Sequence, residues 1–397
     1  MAANSVLFEP LVVGDLKLSN RLALAPLTRF RNSDSHAPKN PSAEYYAQRA
    51  SYPGTLLITE ATFIDAKAGS YKNAPGIFTE EQIEGWRQVV EAVHAKGSYV
   101  YLQLWALGRA ADPEVLKGET GDDVQSASDV PFEGGATPRP LTKEEISDYV
   151  GYYARAAKNF VEKCGGDGVE IHNANGYLLD QFLQTNSNKR TDEFGGSVEN
   201  RARFPLQVVD AVVAAIGPKK TGIRLSPFSS FQGMKMDKLE DIHETFSYFT
   251  TQIRDRHPEF AYIHAVESRI AGNTDIPVDE RETLDFLYDI WTPRPFLVAG
   301  GFKQENAVST AEKYKNSVVV FGRYFISNPD LVKRVKEGVP FADYDRDTFY
   351  KLGPSETKGE FLLTFSPAEN FGSLFRKTEQ CFIFRQATST TLLPPTR

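Results

Sequence analysis

Short apolar runs rich in valine, isoleucine and leucine recur along the chain, separated by longer stretches whose apolar residues fall three or four positions apart. The runs predict strands over residues 21–28, 55–64, 98–105, 167–172, 222–227, 261–266, 295–301 and 318–322. The amphipathic stretches predict helices over 42–51, 80–96, 142–163, 200–216, 239–256, 280–291, 303–314 and 328–337. Two helix starts carry the expected caps: Thr79 precedes Glu80-Glu81, and Thr142 precedes Lys143-Glu144-Glu145, which sets acids in the positive first turn. Strict alternation of this kind predicts the α/β class and a single parallel (β/α)8 barrel. An open doubly wound sheet has the same alternation, because periodicity does not report closure. No GxGxxG follows the first strand, which removes the usual dinucleotide fingerprint.

Three segments fall outside the repeat. Residues 6–18 read as a hairpin turning at Gly14-Asp15, a candidate plug for the N-terminal mouth of the barrel. Residues 106–141 are rich in glycine, proline and acids and read as a long loop after the third strand, a feature more often functional than accidental. Residues 360–397 show neither helical nor strand periodicity, so the expected organisation is a barrel over 1–359 and an atypical, disordered tail over 360–397.

Composition narrows the function class. A chain of 397 residues with net charge −7 carries no basic footprint for nucleic acid or for an anionic membrane. Its two cysteines, Cys164 and Cys381, supply neither a disulfide framework nor a thiolate metal site. No apolar run approaches the ~20 residues of a membrane helix, and the N-terminus lacks a basic segment followed by an apolar one. The expectation is a cytoplasmic protein, monomer or homodimer, acting on a small molecule without nucleic-acid or membrane partners.

In a barrel the residues just past each strand face one cavity. Strand one ends in Pro26-Leu27-Thr28, strand two in Glu60-Ala61-Thr62, strand three in Gln103-Leu104-Trp105, and strand five in Arg224 and Ser226. Strand four runs directly into His172, Asn175 and Tyr177. Two donors for one oxygen, followed by a phenol, suit chemistry that builds charge on a carbonyl oxygen and then protonates carbon. The same residues would also suit a strand end that caps the next helix. Strand seven ends in Gly300-Gly301 and strand eight in Gly322-Arg323, the usual phosphate position of this fold, although glycines also serve tight turns. No HExxH and no histidine or cysteine at metal-ligand spacing accompanies His172, and no strand ends in a Schiff-base lysine. A flavin mononucleotide would use what remains. Its phosphate needs the glycine–arginine cradle, its pyrimidine edge needs an amide such as Gln103, and its reduced ring needs a cation such as Arg224.

Several segments resemble the old yellow enzyme family of flavin-dependent ene-reductases, closest to its fungal members. They are LFEPLVVGDLKLSNRLALAPLTRFR, EYYAQRASYPGTLLITEAT, YLQLWALGRAADP, GVEIHNANGYLLDQF, IRLSP, VAGGF and FGRYFISNPDLVKR. The similarity runs from about Leu7 to about Gly359. It implies a TIM barrel holding FMN, NADPH as hydride donor, and an α,β-unsaturated carbonyl (enone or enal) as substrate. By the same resemblance Pro26, Leu27, Thr28, Ala61, Gln103, Arg224, Gly300, Gly301, Gly322 and Arg323 contact FMN. His172 and Asn175 hold the substrate carbonyl oxygen, Tyr177 protonates the α-carbon, and Trp105 shapes the pocket. A flavin-assisted double-bond isomerase and a catalytically silent flavin- or phenol-binding paralogue are the competing functions. The resemblance stops near Gly359, where relatives continue with a Tyr-x-Asp-Tyr-Pro-like segment. Gly359-Glu360-Phe361 is compatible with GGT GAG TTT, a splice-donor-like codon run, which suits a retained intron.

Four other residues or segments read as structural. Glu170 is expected to be paired, His264 a satisfied core histidine, residues 119–123 a solvated acidic loop, and Cys164 a helix end without redox reactivity.

Overall fold

The computed structural model describes residues 5–354 apart from 273 and 278, so the 360–397 segment and its expected disorder lie outside the described residues. Eight parallel strands form the sheet: β1 (Leu22–Leu24), β2 (Leu56–Ile58), β3 (Tyr99–Trp105), β4 (Gly168–Asn173), β5 (Thr221–Leu225), β6 (Tyr262–Val266), β7 (Phe296–Ala299) and β8 (Ser317–Phe321). Each pairs with the next, and the pairing of Val319 with Leu22 joins β8 to β1 and closes the barrel. Closure settles the choice that periodicity left open. Outside lie α1 (Asn40–Arg49), α2 (Glu80–His94), α3 (Lys143–Lys158), α4 (Val198–Ile216), α5 (Leu239–Arg256), α6 (Asp285–Trp291), α7 (Gln304–Lys313) and α8 (Leu331–Glu337). Among the described residues no helix is long and apolar enough to cross a membrane.

The predicted caps form as reciprocal capping boxes. Thr79 accepts from the Gln82 N–H while the Gln82 side chain accepts from Thr79, and Thr142 and Glu145 repeat the arrangement. Apolar faces of these helices, with Trp86, Val89 and Phe160 fully buried, pack on the outside of the sheet. A second apolar cluster fills the lower barrel. There Val13, Leu16 and Leu18, on a hairpin of strands Leu11–Val13 and Leu16–Leu18, meet Ile58, Tyr101, Tyr262 and Leu297. The hairpin is therefore the expected plug, and each fully buried apolar side chain there contributes roughly 1.5–3 kcal/mol.

Several predicted elements change in physically readable ways. The strand over 55–64 breaks after Ile58, because the Thr59 and Thr62 hydroxyls both fold onto the Glu60 carbonyl oxygen, at 3.0 and 2.9 Å. The helix over 142–163 does not stay α-helical. It widens into a π-turn at Asn159–Lys163, where Asn159 donates to the Ile77 carbonyl. The helices expected from 280 and 328 begin at Asp285 and Leu331. The 106–141 loop holds its own structure: a helix Pro113–Thr120, capped by Asp112 and ended by Gly121 at φ +78°, then a paired Gln125–Ser126 and Arg139–Pro140. The acidic segment is accordingly not a free loop. Glu119 sits in that helix 3.3 Å from His36, and Asp123 pairs with Lys117 at 2.9 Å. Cys164 ends its helix as expected, with burial pushing the thiol up to about 12.

Gly14 makes the plug testable. Its φ is +58°, and a Cβ there would lie 1.9 Å from the Lys219 carbonyl oxygen. Positive φ alone costs a side-chain-bearing residue about 1–2 kcal/mol, and the clash adds to it. Gly14→Ala should lower the thermal midpoint by several degrees, measured by circular dichroism; an unchanged midpoint would mean that the hairpin is not docked in the barrel.

Candidate active site

The rim at the C-terminal ends of the strands encloses a cavity of ≈ 1070 Å³. The residues expected to contact a flavin or its substrate line it: Pro26, Leu27 and Thr28 after β1, Ala61 after β2, Gln103 and Trp105 on β3, and His172, Asn175 and Tyr177 from β4 onward, whereas Glu60, Thr62, Leu104 and Ser226, at the same strand ends, do not. Arg224 on β5, Gly300 and Gly301 after β7, and Gly322 and Arg323 after β8 complete it.

Parallel register explains why these groups meet. His172 on β4 lies beside Arg224 on β5, which lies beside His264 on β6. All three side chains belong to one level inside the barrel, and all are buried or nearly so. One level below, Glu170 accepts from Gln103 Nε2 at 2.8 Å, from the Tyr262 hydroxyl at 3.1 Å and from His264 Nδ1 at 2.8 Å. Glu170 is thus paired as expected. His264 is satisfied on one nitrogen only, since Nε2 is buried without a partner.

After β4 the chain turns sharply. Asn175 has φ +55°, its N–H donates to the Ser226 hydroxyl at 2.7 Å, and the following Gly176 N–H donates to Asp180 at 2.9 Å. Burial pushes the Asp180 carboxyl up to about 6. This turn leaves the His172 and Asn175 side chains without any hydrogen-bond partner among the described residues, and His172 Nδ1 and Asn175 Oδ1 are fully enclosed. Buried polar groups are normally satisfied, so a pair left open at a cavity wall is arranged for a ligand. The His172 ring stands edge-on to the Tyr177 ring, centroids 4.8 Å apart, and Tyr177 stands edge-on to Trp105 at 5.0 Å.

Charge states diverge across this short distance. Burial, then Arg224 and His264, hold the His172 imidazole well below its ordinary range, so it is neutral and donates from one nitrogen only. Burial raises the Tyr177 phenol, so it keeps its proton.

The opposite end of the cavity is a backbone cradle. Gly301 has φ +61°, and a Cβ there would come within 3.2 Å of Asp275 and 3.6 Å of an Arg323 nitrogen. Arg323 itself is held by Asp275 through two contacts of 2.6 and 2.7 Å, from a short hairpin of Ile270–Ala271 and Thr274–Asp275. The arginine expected at this strand end lines the cavity, and sequence reading missed the carboxylate that engages it. Lys303 and Arg346 line the same end, and with Arg323 they hold Asp275 below the usual carboxylate range. The donor set suits a phosphate with an aromatic head. Glycine backbone and three cations lie at one end, and the Gln103 amide, the half-buried Arg224 and the unpartnered His172 and Asn175 side chains lie toward the other.

Sequence reading also missed the aromatic wall. Phe30, Tyr71, Phe349 and Tyr350 line the cavity. The last two are tethered from a distance: Arg29 donates to the Phe349 carbonyl at 3.1 Å and Arg31 to the Thr348 carbonyl at 2.9 Å. Glu60 accepts from the Arg29 N–H at 3.1 Å, and burial holds its carboxyl up at about 7. The one signal available was the pair of arginines in Thr28-Arg29-Phe30-Arg31, too basic for a strand end facing an apolar core.

Comparison with known proteins agrees with this geometry. Residues 6–341 match the family described as NADH:flavin oxidoreductase / NADH oxidase. A chanoclavine-I aldehyde reductase of Penicillium roqueforti is 51% identical, over 91% of this chain and 96% of that protein. An NADP-dependent oxidoreductase of Aspergillus flavus is 44% identical over 87% and 93%, and a protein of Epichloe festucae var. lolii named a probable inactive reductase is 46% identical over 88% and 92%. The crystal structure of old yellow enzyme from a Pichia species superposes with TM-score 0.81 at 40% identity, covering 89% of this chain and 92% of that one. With its closed barrel, its glycine–arginine cradle and its open imidazole–amide pair, the chain belongs to the NADH:flavin oxidoreductase / NADH oxidase family and is an old yellow enzyme relative.

Proposed function

We propose that the protein is an FMN-dependent reductase of the carbon–carbon double bond in α,β-unsaturated carbonyl compounds, with NADPH as electron donor. The observation that carries this reading is the unpartnered His172–Asn175 pair beside the protonated Tyr177. An enal is the favoured class of substrate, because the relative from Penicillium roqueforti is named for an aldehyde. The choice of NADPH over NADH is supported by the NADP-dependent relative of Aspergillus flavus.

FMN would be held by Gly300, Gly301, Gly322 and Arg323 at its phosphate and by Pro26, Leu27, Thr28, Ala61, Gln103 and Arg224 along its ring. When bound, it supplies two-electron chemistry between a reduced nicotinamide and the substrate alkene. His172 and Asn175 donate to the substrate carbonyl oxygen and steady the negative charge that develops there. Because His172 is neutral, it binds that oxygen without giving up a proton to it. Tyr177 supplies the proton to the α-carbon instead. Trp105, stacked on Phe63 at 5.0 Å, keeps the Tyr177 ring edge fixed and bounds the substrate space.

A silent, binding-only protein is the second reading, favoured by the inactive-named relative. One experiment separates them. Purified protein should be yellow, lose its colour on anaerobic addition of NADPH, and regain it on adding cinnamaldehyde or cyclohexenone. A yellow protein that NADPH cannot bleach favours the binding reading, and a colourless protein that FMN cannot restore removes both.

Two variants test the roles. His172→Ala with Asn175→Ala should weaken binding of phenols, whose oxygen mimics the charged substrate oxygen, at least tenfold; unchanged phenol affinity contradicts the pair's role. Tyr177→Phe should slow recovery of colour by the enal by about 10²-fold or more, within the range of a positioned acid, while bleaching by NADPH keeps its rate. Equal slowing of both phases would assign Tyr177 to packing.

A further inference from the structure

We propose that Glu170 is a positioning residue for the cofactor, acting through Gln103 and Arg224: it fixes the Gln103 amide with its oxygen toward the cavity, and it offsets the Arg224 charge beneath the ring. The inference rests on the flavin reading above.

Glu170 is fully buried on β4, two residues before His172 and therefore on the same inward face of the strand. Its Cα partner across the sheet on β3 is Gln103. A carboxylate held by three donors in a closed interior stays ionised. Burial works against that charge, and the contacts with His264, Arg224 and Gln103 outweigh it.

An ionised carboxylate accepts hydrogen bonds and cannot donate them. Gln103 must therefore turn its NH2 group down to Glu170. Its carbonyl oxygen meets no donor among the described residues and is left for the cavity that Gln103 lines. A glutamine at position 170 could offer either end of its amide and would not enforce that orientation. The chemical consequence is definite. An outward carbonyl accepts an imide N–H such as the pyrimidine edge of a flavin presents, whereas an inverted amide would meet it N–H against N–H.

The second part of the role is electrostatic. Arg224 is half-buried at the level of His172 and His264, and its Nε is enclosed without a partner. Both imidazoles beside it are pushed toward neutrality by burial and by that same cation. Glu170 is the anion that acts on Arg224 most strongly. It therefore moderates the positive field that a reduced, anionic ring would experience.

The test compares wild type, Glu170→Gln and Glu170→Asp as holoproteins, with FMN affinity read by flavin fluorescence and midpoint potential read against reference dyes. Glu170→Gln should bind oxidised FMN at least tenfold more weakly. It should also favour the reduced over the oxidised form about tenfold more than wild type does, an upward shift of about 30 mV for a two-electron couple. Glu170→Asp, which keeps the charge, should hold the wild-type potential. A Glu170→Gln potential equal to wild type overturns the inference, even if affinity falls, because a purely structural loss moves both redox forms alike. If Glu170→Gln does not fold, N3-methyl FMN offered to wild type decides the orientation. Binding at least tenfold weaker than FMN supports an outward carbonyl, and equal binding overturns it. Wild type that takes up no FMN defeats the flavin reading first, and this inference with it.

Discussion

Parallel register is the constraint on which the site depends. When β4, β5 and β6 pair in parallel, His172, Arg224 and His264 fall side by side on one inward level, whatever else the sequence does. A cation largely withdrawn from solvent at that level is costly unless an anion and its hydrogen bonds accompany it. Glu170, one level down, supplies the anion, and Tyr262, His264 and Gln103 supply the donors that keep it charged. The plug below seals the arrangement from solvent at the lower mouth. What faces the cavity is therefore an electrostatically prepared floor.

In the proposed reaction the rim above divides its labour by protonation state. One buried imidazole is kept neutral and one half-buried phenol is kept protonated, within a ring-to-ring distance of 4.8 Å. A charged histidine would bind a carbonyl oxygen more strongly but would also protonate it, ending the reaction at the wrong atom. Under the proposed function, a neutral imidazole with an amide would bind the oxygen and leave the proton to a separate group. Both directions of shift come mainly from the same burial, because desolvation disfavours the imidazolium and the phenolate alike.

The sequence carried the fold and most of the rim for a simple reason. Strand ends are short apolar runs that stop, and the residues at the stops are polar where an apolar core has no use for them. His172, Asn175 and Arg224 were legible on that basis, and the Gly300-Gly301 pair from its place after the seventh strand, where this fold usually sets a phosphate. The break of β2 at Thr59–Glu60 was not, since two threonine hydroxyls redirect the chain and no periodicity registers them. Asp275 on Arg323 and the Arg29–Phe349 tether were hidden as well, because they join residues 48 and 320 positions apart. The wall formed by Phe349 and Tyr350 follows from that tether and shares its invisibility.

The central claim, that FMN lies across this rim with its reacting face under the imidazole–amide pair, is tested most directly by a crystal structure of the protein with FMN and a para-substituted phenol. The account predicts the phosphate at Gly301 and Arg323, with Asp275 drawn off the guanidinium or sharing it, and the phenol oxygen within hydrogen-bond distance of both His172 and Asn175. A phosphate bound elsewhere, or a phenol oxygen that touches neither side chain, would contradict it.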